Sequence, residues 1–290
     1  MLRSAAVIQP TLKDDSLLAD IEAAKADKRH FHLWWLGQSG FLIQWQGRHL
    51  LVDPYLSDSL TAKYAGTDRP HVRMTEIPIS PDRLNFIDAV TSSHNHTDHF
   101  DPDTLKPLMR VNPQLKVAIP EANRATAAGR TGAKPEYFIG MDAGLVKSVG
   151  GFRVQGVPAA HNELDKNEWD EHLYLGYIID LGMKRIYHAG DTLWYEGMEN
   201  WIRPFKVDVA ILPINGNRPD RKVAGNLDGR EAARLAKAIG ARIAIPCHFE
   251  MFEFNTASPE EFIAECQAIG QPFKVLKCGE RWSSSALEGV

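Results

Sequence analysis

The stretch Ser92-Ser93-His94-Asn95-His96-Thr97-Asp98-His99-Phe100 places three imidazoles and a carboxylate within six residues. It directly follows the apolar run 87–91, which has the composition of a short buried strand. A loop at the end of such a strand presents its side chains at the edge of a sheet, where an open pocket can form. Neutral imidazole and carboxylate are ligands that Zn²⁺ selects, with Mn²⁺ and Fe²⁺ as competitors. The stretch therefore predicts a metal site, and the alternative is a histidine-rich polar surface loop.

Histidine and aspartate recur after three later apolar runs. His161 follows the run 152–157, Asp191 follows 185–189, and His248 follows 242–246. This recurrence of strand, loop and ligand fits two β-sheets that have their carboxyl-terminal loops on one edge and helices outside. Because a carboxylate has two oxygens, Asp191 is placed to bridge two ions.

The hexapeptide from His94 to His99 resembles the signature of the metallo-β-lactamase superfamily, and the resemblance extends from about Leu33 to about Cys278. Shorter motifs resemble the L-ascorbate-6-phosphate lactonase-like group, with the N-acylphosphatidylethanolamine phospholipase D group next. These motifs are Trp35-Leu36-Gly37-Gln38-Ser39-Gly40, Val52-Asp53-Pro54, Ala189-Gly190-Asp191-Thr192 and Ile245-Pro246-Cys247-His248-Phe249. The resemblance implies an α/β fold, an αββα metallo-β-lactamase sandwich of two mixed β-sheets with helices on the outer faces.

The resemblance also implies a dinuclear site for two divalent ions, Zn²⁺ or Mn²⁺, with Fe²⁺ as a further candidate. The residues implied as metal ligands are His94, His96 and His161 for one ion, Asp98, His99 and His248 for the other, and Asp191 as the bridge. Four positive charges on the ions, less two on the carboxylates, leave about +2 and favour an anionic or electron-rich substrate. A metal-bound hydroxide is the expected nucleophile. Asp98 and Asp191 are the predicted catalytic carboxylates, and Asp98 could also steer the hydroxide.

The predicted function is that of a metal-dependent hydrolase acting on a small polar ester or lactone, with or without a phosphate group. The first alternative is a phosphodiesterase on the same dinuclear site, phospholipase D-like or nucleic-acid-processing, because the metal motif is closer to the phospholipase D group. The remaining alternative is a di-iron redox protein. The sequence shows no second domain or obvious flavin site that would deliver electrons to it.

Two loops are predicted to shape the pocket. The segment 55–80 has no clear period, and a loop of this length usually forms a lid or a binding wall, so Tyr55, Tyr64 and His71 are assigned to the rim. The Gly- and Pro-rich segment 213–227 leaves an apolar strand at the edge where the ligands gather. Its predicted substrate-binding residues are Asn215, Arg218, Arg221 and Lys222. Guanidinium and ammonium groups suit an anionic substrate, and the alternative is that these cations are only solvated.

Asp53 ends the third predicted strand, directly before Pro54. The resemblance suggests that this carboxylate lies under the metal loop and orients a ligand imidazole. The alternative is an aspartate that only forms a turn.

Composition limits the remaining possibilities. The 290 residues are 44% hydrophobic, which suits one domain over residues 1–290, with an N-terminal helical extension in residues 1–30. A formal net charge of -4 gives no basic field for nucleic acid or an anionic membrane. No stretch approaches the length of a membrane span or a signal-peptide core. The three cysteines are too few and scattered for a disulfide framework. We therefore expect a cytoplasmic protein with a small-molecule, anionic substrate, and we leave a homo-oligomer open.

Three expectations on the elements are specific enough to check. The second half of the sandwich is predicted to begin near residue 135. A helix is predicted over 194–202, and the closing strand over 273–276.

Overall fold

The computed structural model describes residues 7–289, and in that part of the chain thirteen strands form two sheets. The strands of the first sheet are β1 (His32–Gly37), β2 (Gly40–Trp45), β3 (Arg48–Val52), β4 (Ala89–Thr91), β5 (Lys116–Pro120), β6 (Phe138–Met141) and β13 (Arg281–Ser283). Their order is β13-β1-β2-β3-β4-β5-β6. The pairs from β13 to β3 are antiparallel and those from β3 to β6 are parallel, so the sheet is mixed.

The second sheet is also mixed. Its strands are β7 (Val146–Val149), β8 (Phe152–Pro158), β9 (Leu175–Asp180), β10 (Arg185–His188), β11 (Val209–Pro213) and β12 (Ile243–Cys247), in the order β12-β11-β10-β9-β8-β7. Strands β10, β11 and β12 are parallel to one another, whereas the pairs from β10 to β7 are antiparallel.

Seven α-helices lie in the described part of the chain. They are α1 (Asp14–Ala24), α2 (Ser59–Lys63), α3 (Pro102–Val111), α4 (Arg124–Thr131), α5 (Met198–Ile202), α6 (Gly229–Ala238) and α7 (Glu260–Ile269). Helix α3 begins directly after the predicted metal loop, because the Asp101 side chain accepts hydrogen bonds from the backbone N–H groups of Asp103 and Thr104. This cap fixes the far end of the loop. No helix within residues 7–289 is long and apolar enough to cross a membrane.

Both faces of the first sheet are covered, which explains its nearly continuous apolar strands. Along β1, Leu33 and Trp35 belong to the core cluster between the sheets, whereas Trp34 and Leu36 belong to the cluster under α1, α3 and α4. Helices α5 and α6 pack on the second sheet. The predicted αββα sandwich is therefore confirmed.

The carboxyl ends of the parallel strands bring the candidate ligands together. Residues 92–99 follow β4, and Asp191 and His248 follow β10 and β12. Gly190 has a φ of 63°, and a Cβ there would lie 2.6 Å from the Cβ of Ser93. Only glycine permits this approach of the two loops, one from each sheet.

Three element predictions need correction. The second sheet begins at β7, not near residue 135, because β6 pairs with β5 in the first sheet. The segment 273–276 makes one isolated bridge, from Phe273 to Ala244, and the closing strand is β13, which pairs with β1. The helix expected over 194–202 begins only at Met198. Helix α1 of the predicted extension packs under the first sheet, and residues 1–6 of that extension lie outside the described residues.

Candidate metal centre

The structure brings all seven predicted metal ligands to one place. Three groups of side chains could each hold a metal ion, since the ligand atoms of each group lie within 4.8 Å of one another. The groups are His94, His96 and His161; His94, His99 and Asp191; and Asp98, His99 and His248. Two groups coincide with the predicted ligand sets. The third places Asp191 beside imidazoles of both sets.

The distances between these atoms fit a metal ion better than hydrogen bonds. Asp191 lies 3.3 Å from the Nε2 atoms of His99 and His248, and 3.4 Å from Nε2 of His161. The Asp98 carboxylate lies 3.6 Å from Nε2 of His99 and 3.5 Å from Nε2 of His248. Hydrogen bonds between nitrogen and oxygen span about 2.7–3.2 Å. Two ligands bound to one tetrahedral zinc ion at about 2.0–2.2 Å lie about 3.3–3.6 Å apart.

Several ligand atoms are buried without a hydrogen-bond partner. They are Nε2 of His94, Nε2 of His99 and Oδ1 of Asp191, and each faces into the cluster of candidate ligands. Buried polar atoms are nearly always satisfied in proteins, so three unsatisfied atoms together require an explanation. A bound cation would supply one. The residues present therefore fit the metal that the sequence predicts.

The charge states of Asp98, Asp191 and His94 suit a divalent ion, whereas the two carboxylates raise the pKa of His99 and His248 against the effect of burial. Burial alone would raise the pKa of Asp98, but the imidazoles of His99 and His248 hold it well below its ordinary value. Burial would likewise raise the pKa of Asp191, and His248 and His99 again hold it far lower. Burial, together with the neighbouring imidazoles, holds the pKa of His94 well below its ordinary value. Charged carboxylates and a neutral imidazole are the forms that bind metals.

Asp53 fixes the orientation of one candidate ligand, as the resemblance suggested. Its Oδ2 atom lies 2.7 Å from Nδ1 of His99, and its Oδ1 accepts a hydrogen bond of 2.7 Å from the backbone N–H of Ser93. The contact places the proton of His99 on Nδ1 and leaves Nε2 free for a metal. Asp53 is fully buried and has a φ of 43°, a conformation that aspartate tolerates better than most residues.

Two further imidazoles are held by other elements. Nδ1 of His161 lies 3.0 Å from the carbonyl oxygen of Gly225, so its Nε2 faces the cluster. The backbone N–H of His248 donates to the carbonyl oxygen of Gln38, in the turn between β1 and β2. His188, the last residue of β10, donates from Nε2 to the carbonyl oxygen of Ser39 at 2.9 Å.

A cavity of about 650 Å³ opens onto the candidate ligands, and we call it the site cavity. Its lining includes Tyr64 and His71 of the 55–80 segment, whose rings stack 4.1 Å apart. Tyr55 is not part of the lining, because it is buried against Phe252 and its hydroxyl accepts a hydrogen bond from the N–H of Leu60. The 55–80 segment thus supplies one wall of the cavity.

Two cations that sequence reasoning missed line the site cavity. Lys63 lies at the end of α2. Arg130 of α4 donates to the carbonyl oxygen of Asn95 and, at 3.0 Å, to the hydroxyl of Thr97, so it holds the metal loop from the side. Its partners are neutral and its charge is not paired with a carboxylate among residues 7–289. No local sequence signal connects either cation with the metal motif.

The structure places the predicted loop cations outside the site cavity. Arg218 is exposed and pairs with Asp220 at 3.1 Å. Lys222 lines a separate small cavity, and its carbonyl oxygen accepts a hydrogen bond from Arg69. Arg221 does not line the site cavity and donates at 2.8 Å to the carbonyl oxygen of Thr256. The positive charge in the site cavity thus comes from other segments.

Asn215 does line the site cavity, within a chain of amides that begins at Arg221. Arg221 and the Nδ2 of Asn215 both donate to Oδ1 of Asn255, at 3.2 and 3.1 Å. The Nδ2 of Asn226 then donates to Oδ1 of Asn215 at 3.0 Å. Because a guanidinium can only donate, it fixes the orientation of every amide that follows. The chain ends at Oδ1 of Asn226, a buried acceptor with no partner beside the cavity.

Comparisons with known proteins agree with the fold. A family model described as a beta-lactamase superfamily domain matches residues 32–248. A UPF0173 metal-dependent hydrolase of Aeropyrum pernix is 31% identical over 264 residues, which cover 86% of this chain and 96% of the relative. Igni18, a metallo hydrolase from Ignicoccus hospitalis, has a TM-score of 0.65 and 24% identity, covering 88% of this chain and 98% of that chain. An isothiocyanate hydrolase from Delia radicum gut bacteria has a TM-score of 0.68 and 21% identity, covering 87% and 98%. The two solved structures share the fold.

Proposed function

Since the chain belongs to the beta-lactamase superfamily and, within it, to the UPF0173 metal-dependent hydrolase family, we propose that it hydrolyses a small polar ester or lactone at a dinuclear metal centre. The observation that carries this proposal is the set of separations of 3.3–3.6 Å between buried carboxylate oxygens and imidazole nitrogens. The relatives are described as hydrolases, which does not favour the di-iron redox alternative.

The proposed ligand sets follow the groups in the structure. His94, His96 and His161 would hold one ion, and Asp98, His99 and His248 the other. Asp191 would bridge them, because its two oxygens reach imidazoles of both sets. When bound, divalent ions supply hydroxide at neutral pH and polarise the attacked carbonyl or phosphoryl group. Imidazole-rich sites with carboxylates suit Zn²⁺ and Mn²⁺, which we retain as the proposed metals.

The proposed substrate is anionic, with or without a phosphate group. Two ions and two carboxylates leave about +2 in the centre, and Lys63 and Arg130 add positive charge to the lining of the site cavity. The half-buried guanidinium of Arg130 retains N–H groups for a carboxylate or phosphate beyond its two bonds to the metal loop. We therefore assign to Lys63 and Arg130 the anion-binding role that was predicted for Arg218, Arg221 and Lys222.

The polar character of the substrate is supported by the amides of the site cavity. Asn226, whose buried Oδ1 ends the chain of amides, lines the site cavity together with Asn215 and Asn255, and such amides suit a substrate with hydroxyl groups. Arg221 would then act on the substrate indirectly, because it orients the chain of amides that ends at this atom. We also retain a cytoplasmic location as a proposal, since the three cysteines are buried as free thiols.

A hydrolysis screen on metal-stripped and reconstituted protein tests the function. We expect anionic lactones and esters to be cleaved only after Zn²⁺ or Mn²⁺ is restored, and more efficiently than neutral analogues of the same core. Cleavage of phosphodiesters alone would replace the proposed substrate class with the phosphodiesterase alternative. Equal activity with and without metal would refute the metal-dependent reaction.

A further inference from the structure

Gln38 makes contacts within the candidate metal centre that no sequence motif assigns. Its amide nitrogen Nε2 donates to Oδ2 of Asp98 at 2.8 Å and lies 3.1 Å from Nε2 of His248. These two atoms are 3.5 Å apart and belong to the second ligand set. The amide therefore lies between the same two atoms that an ion in the second set would join.

The backbone holds this side chain firmly in place. Gln38 is fully buried and has a φ of 49°, and His248 has a φ of 61°. The carbonyl oxygen of Gln38 accepts hydrogen bonds of 2.9 Å from the backbone N–H of His248 and from the indole N–H of Trp35. A left-handed conformation is uncommon for residues other than glycine, and two such residues paired through their backbones indicate a constrained arrangement.

The amide of Gln38 offers donors at one end and an acceptor at the other. The Asp98 carboxylate oxygen is an acceptor, so the NH₂ group of the Gln38 amide donates to it. The opposite end of the amide, Oε1, is buried without a partner. A divalent ion between Asp98 and His248 would reverse the preferred orientation of the amide. It would repel the NH₂ group, which carries partial positive charge, and attract the oxygen. Rotation of the amide about its last side-chain bond exchanges the two ends, and this torsion has a broad energy well.

We propose that Gln38 is part of the second metal site, where its amide oxygen faces the ion, or water on it, when the site is filled. This inference rests on the proposed function for the existence of the dinuclear centre. It adds an eighth side chain to the seven that the sequence predicts. No side-chain amide within residues 7–289 makes a hydrogen bond to the first ligand set, so Gln38 acts on one site only.

Metal titration of chelator-stripped protein with Zn²⁺, against a chromophoric competitor, tests the inference without any activity assay. Wild type should bind two ions per chain in two steps, which we call the first and the second step after the ligand set that each one fills. Gln38→Met, which keeps the length of the side chain and removes the amide, should weaken the second step about tenfold or more and leave the first unchanged. Gln38→Glu, which keeps an oxygen and adds negative charge, should tighten the second step. Gln44→Met is the matched control, since Gln44 is a buried glutamine of the same hairpin, on β2.

The outcomes separate this inference from the proposed function. An unchanged or tighter second step in Gln38→Met would overturn the inference. A weaker second step in Gln38→Glu would also overturn it. The Gln38→Glu titration decides the matter if Gln38→Met does not fold. A single ion per wild-type chain would overturn the inference and leave a mononuclear hydrolase in place. Wild type that binds no ion would instead refute the proposed function. A loss of the same size in Gln44→Met would show that the effect is general to the hairpin and would also overturn the inference.

Discussion

Replacing Asp53 with asparagine should disable one metal ligand by changing the position of a single proton. Asp53→Asn keeps the shape of the side chain and tolerates the φ of 43°. The backbone N–H of Ser93 lies 2.7 Å from Oδ1 and can only donate, so the amide oxygen must remain there. The NH₂ group then faces Nδ1 of His99, where Oδ2 lies in the wild type at 2.7 Å. Nδ1 becomes an acceptor, and the proton of His99 moves to Nε2, the nitrogen that would bind the metal.

The size of the effect follows from the contacts. Binding an ion through Nε2 would force the proton back to Nδ1, where it would oppose the NH₂ group and leave buried donors unpaired. That costs about 2 kcal/mol, which corresponds to a loss of roughly 30-fold in the affinity of the site containing His99. Losses of about 10–100-fold are usual when a residue that orients a metal ligand is removed.

Metal titration and NMR of the imidazole nitrogens measure the two parts of this prediction. The titration should show a weaker second step, and the spectra of the metal-free variant should show His99 protonated on Nε2. Asp208→Asn is the control, since Asp208 is a buried carboxylate at the amino end of β11, on the edge of the sheet away from the site. Unchanged metal affinity together with a proton on Nε2 would refute the reasoning about the tautomer.

Three further predictions follow from other residues. Asp191→Ala should lower kcat more than about 100-fold, beyond the loss expected for an orienting residue, while the unfolding midpoint of the metal-free protein changes little; full activity in a folded variant would remove the bridging role. Lys63→Met should raise KM for an anionic ester about tenfold, because a charge-assisted contact is lost, and spare a neutral analogue, whereas Lys222→Met outside the site cavity should change neither. Burial lowers the pKa of His49 to about 4, so the folded state binds that proton more weakly than the unfolded state. The contribution of His49 to the free energy of unfolding is present above pH 6.5 and is lost as pH falls towards 4. Between pH 7 and 5 the loss is about 2 kcal/mol. Urea unfolding in the presence of a chelator should show a smaller loss for His49→Leu.

The fold and the ligand candidates could be predicted because their signals are local. The motif from His94 to His99 occupies one loop, and each later ligand directly follows an apolar strand of its own. The sequence of β1 does not alternate between apolar and polar residues, because both faces of this strand are buried. The pattern therefore does not show which face points to the second sheet. The division of the sandwich was misplaced because the apolar pattern of β6 does not show which sheet the strand joins.

Contacts between distant segments could not be predicted from such patterns. Arg130 reaches the metal loop only because α4 packs beside it, and Gln38 reaches Asp98 only because the turn between β1 and β2 meets the loop after β4. The charge of Arg221 was visible in the sequence, but its hydrogen bonds to Asn255 and Thr256 were not. A cation in a loop therefore indicates where positive charge is available, whereas the fold decides what that charge contacts.

The most direct test of the central claim is anomalous diffraction at the zinc edge from crystals of the protein reconstituted with Zn²⁺. We predict two peaks per chain, one among His94, His96 and His161 and one among Asp98, His99 and His248, with the Asp191 carboxylate touching both. Ligand atoms should lie about 2.0–2.2 Å from each ion. No peak within these side chains, or peaks only elsewhere on the protein, would contradict the claim that they form a dinuclear metal centre.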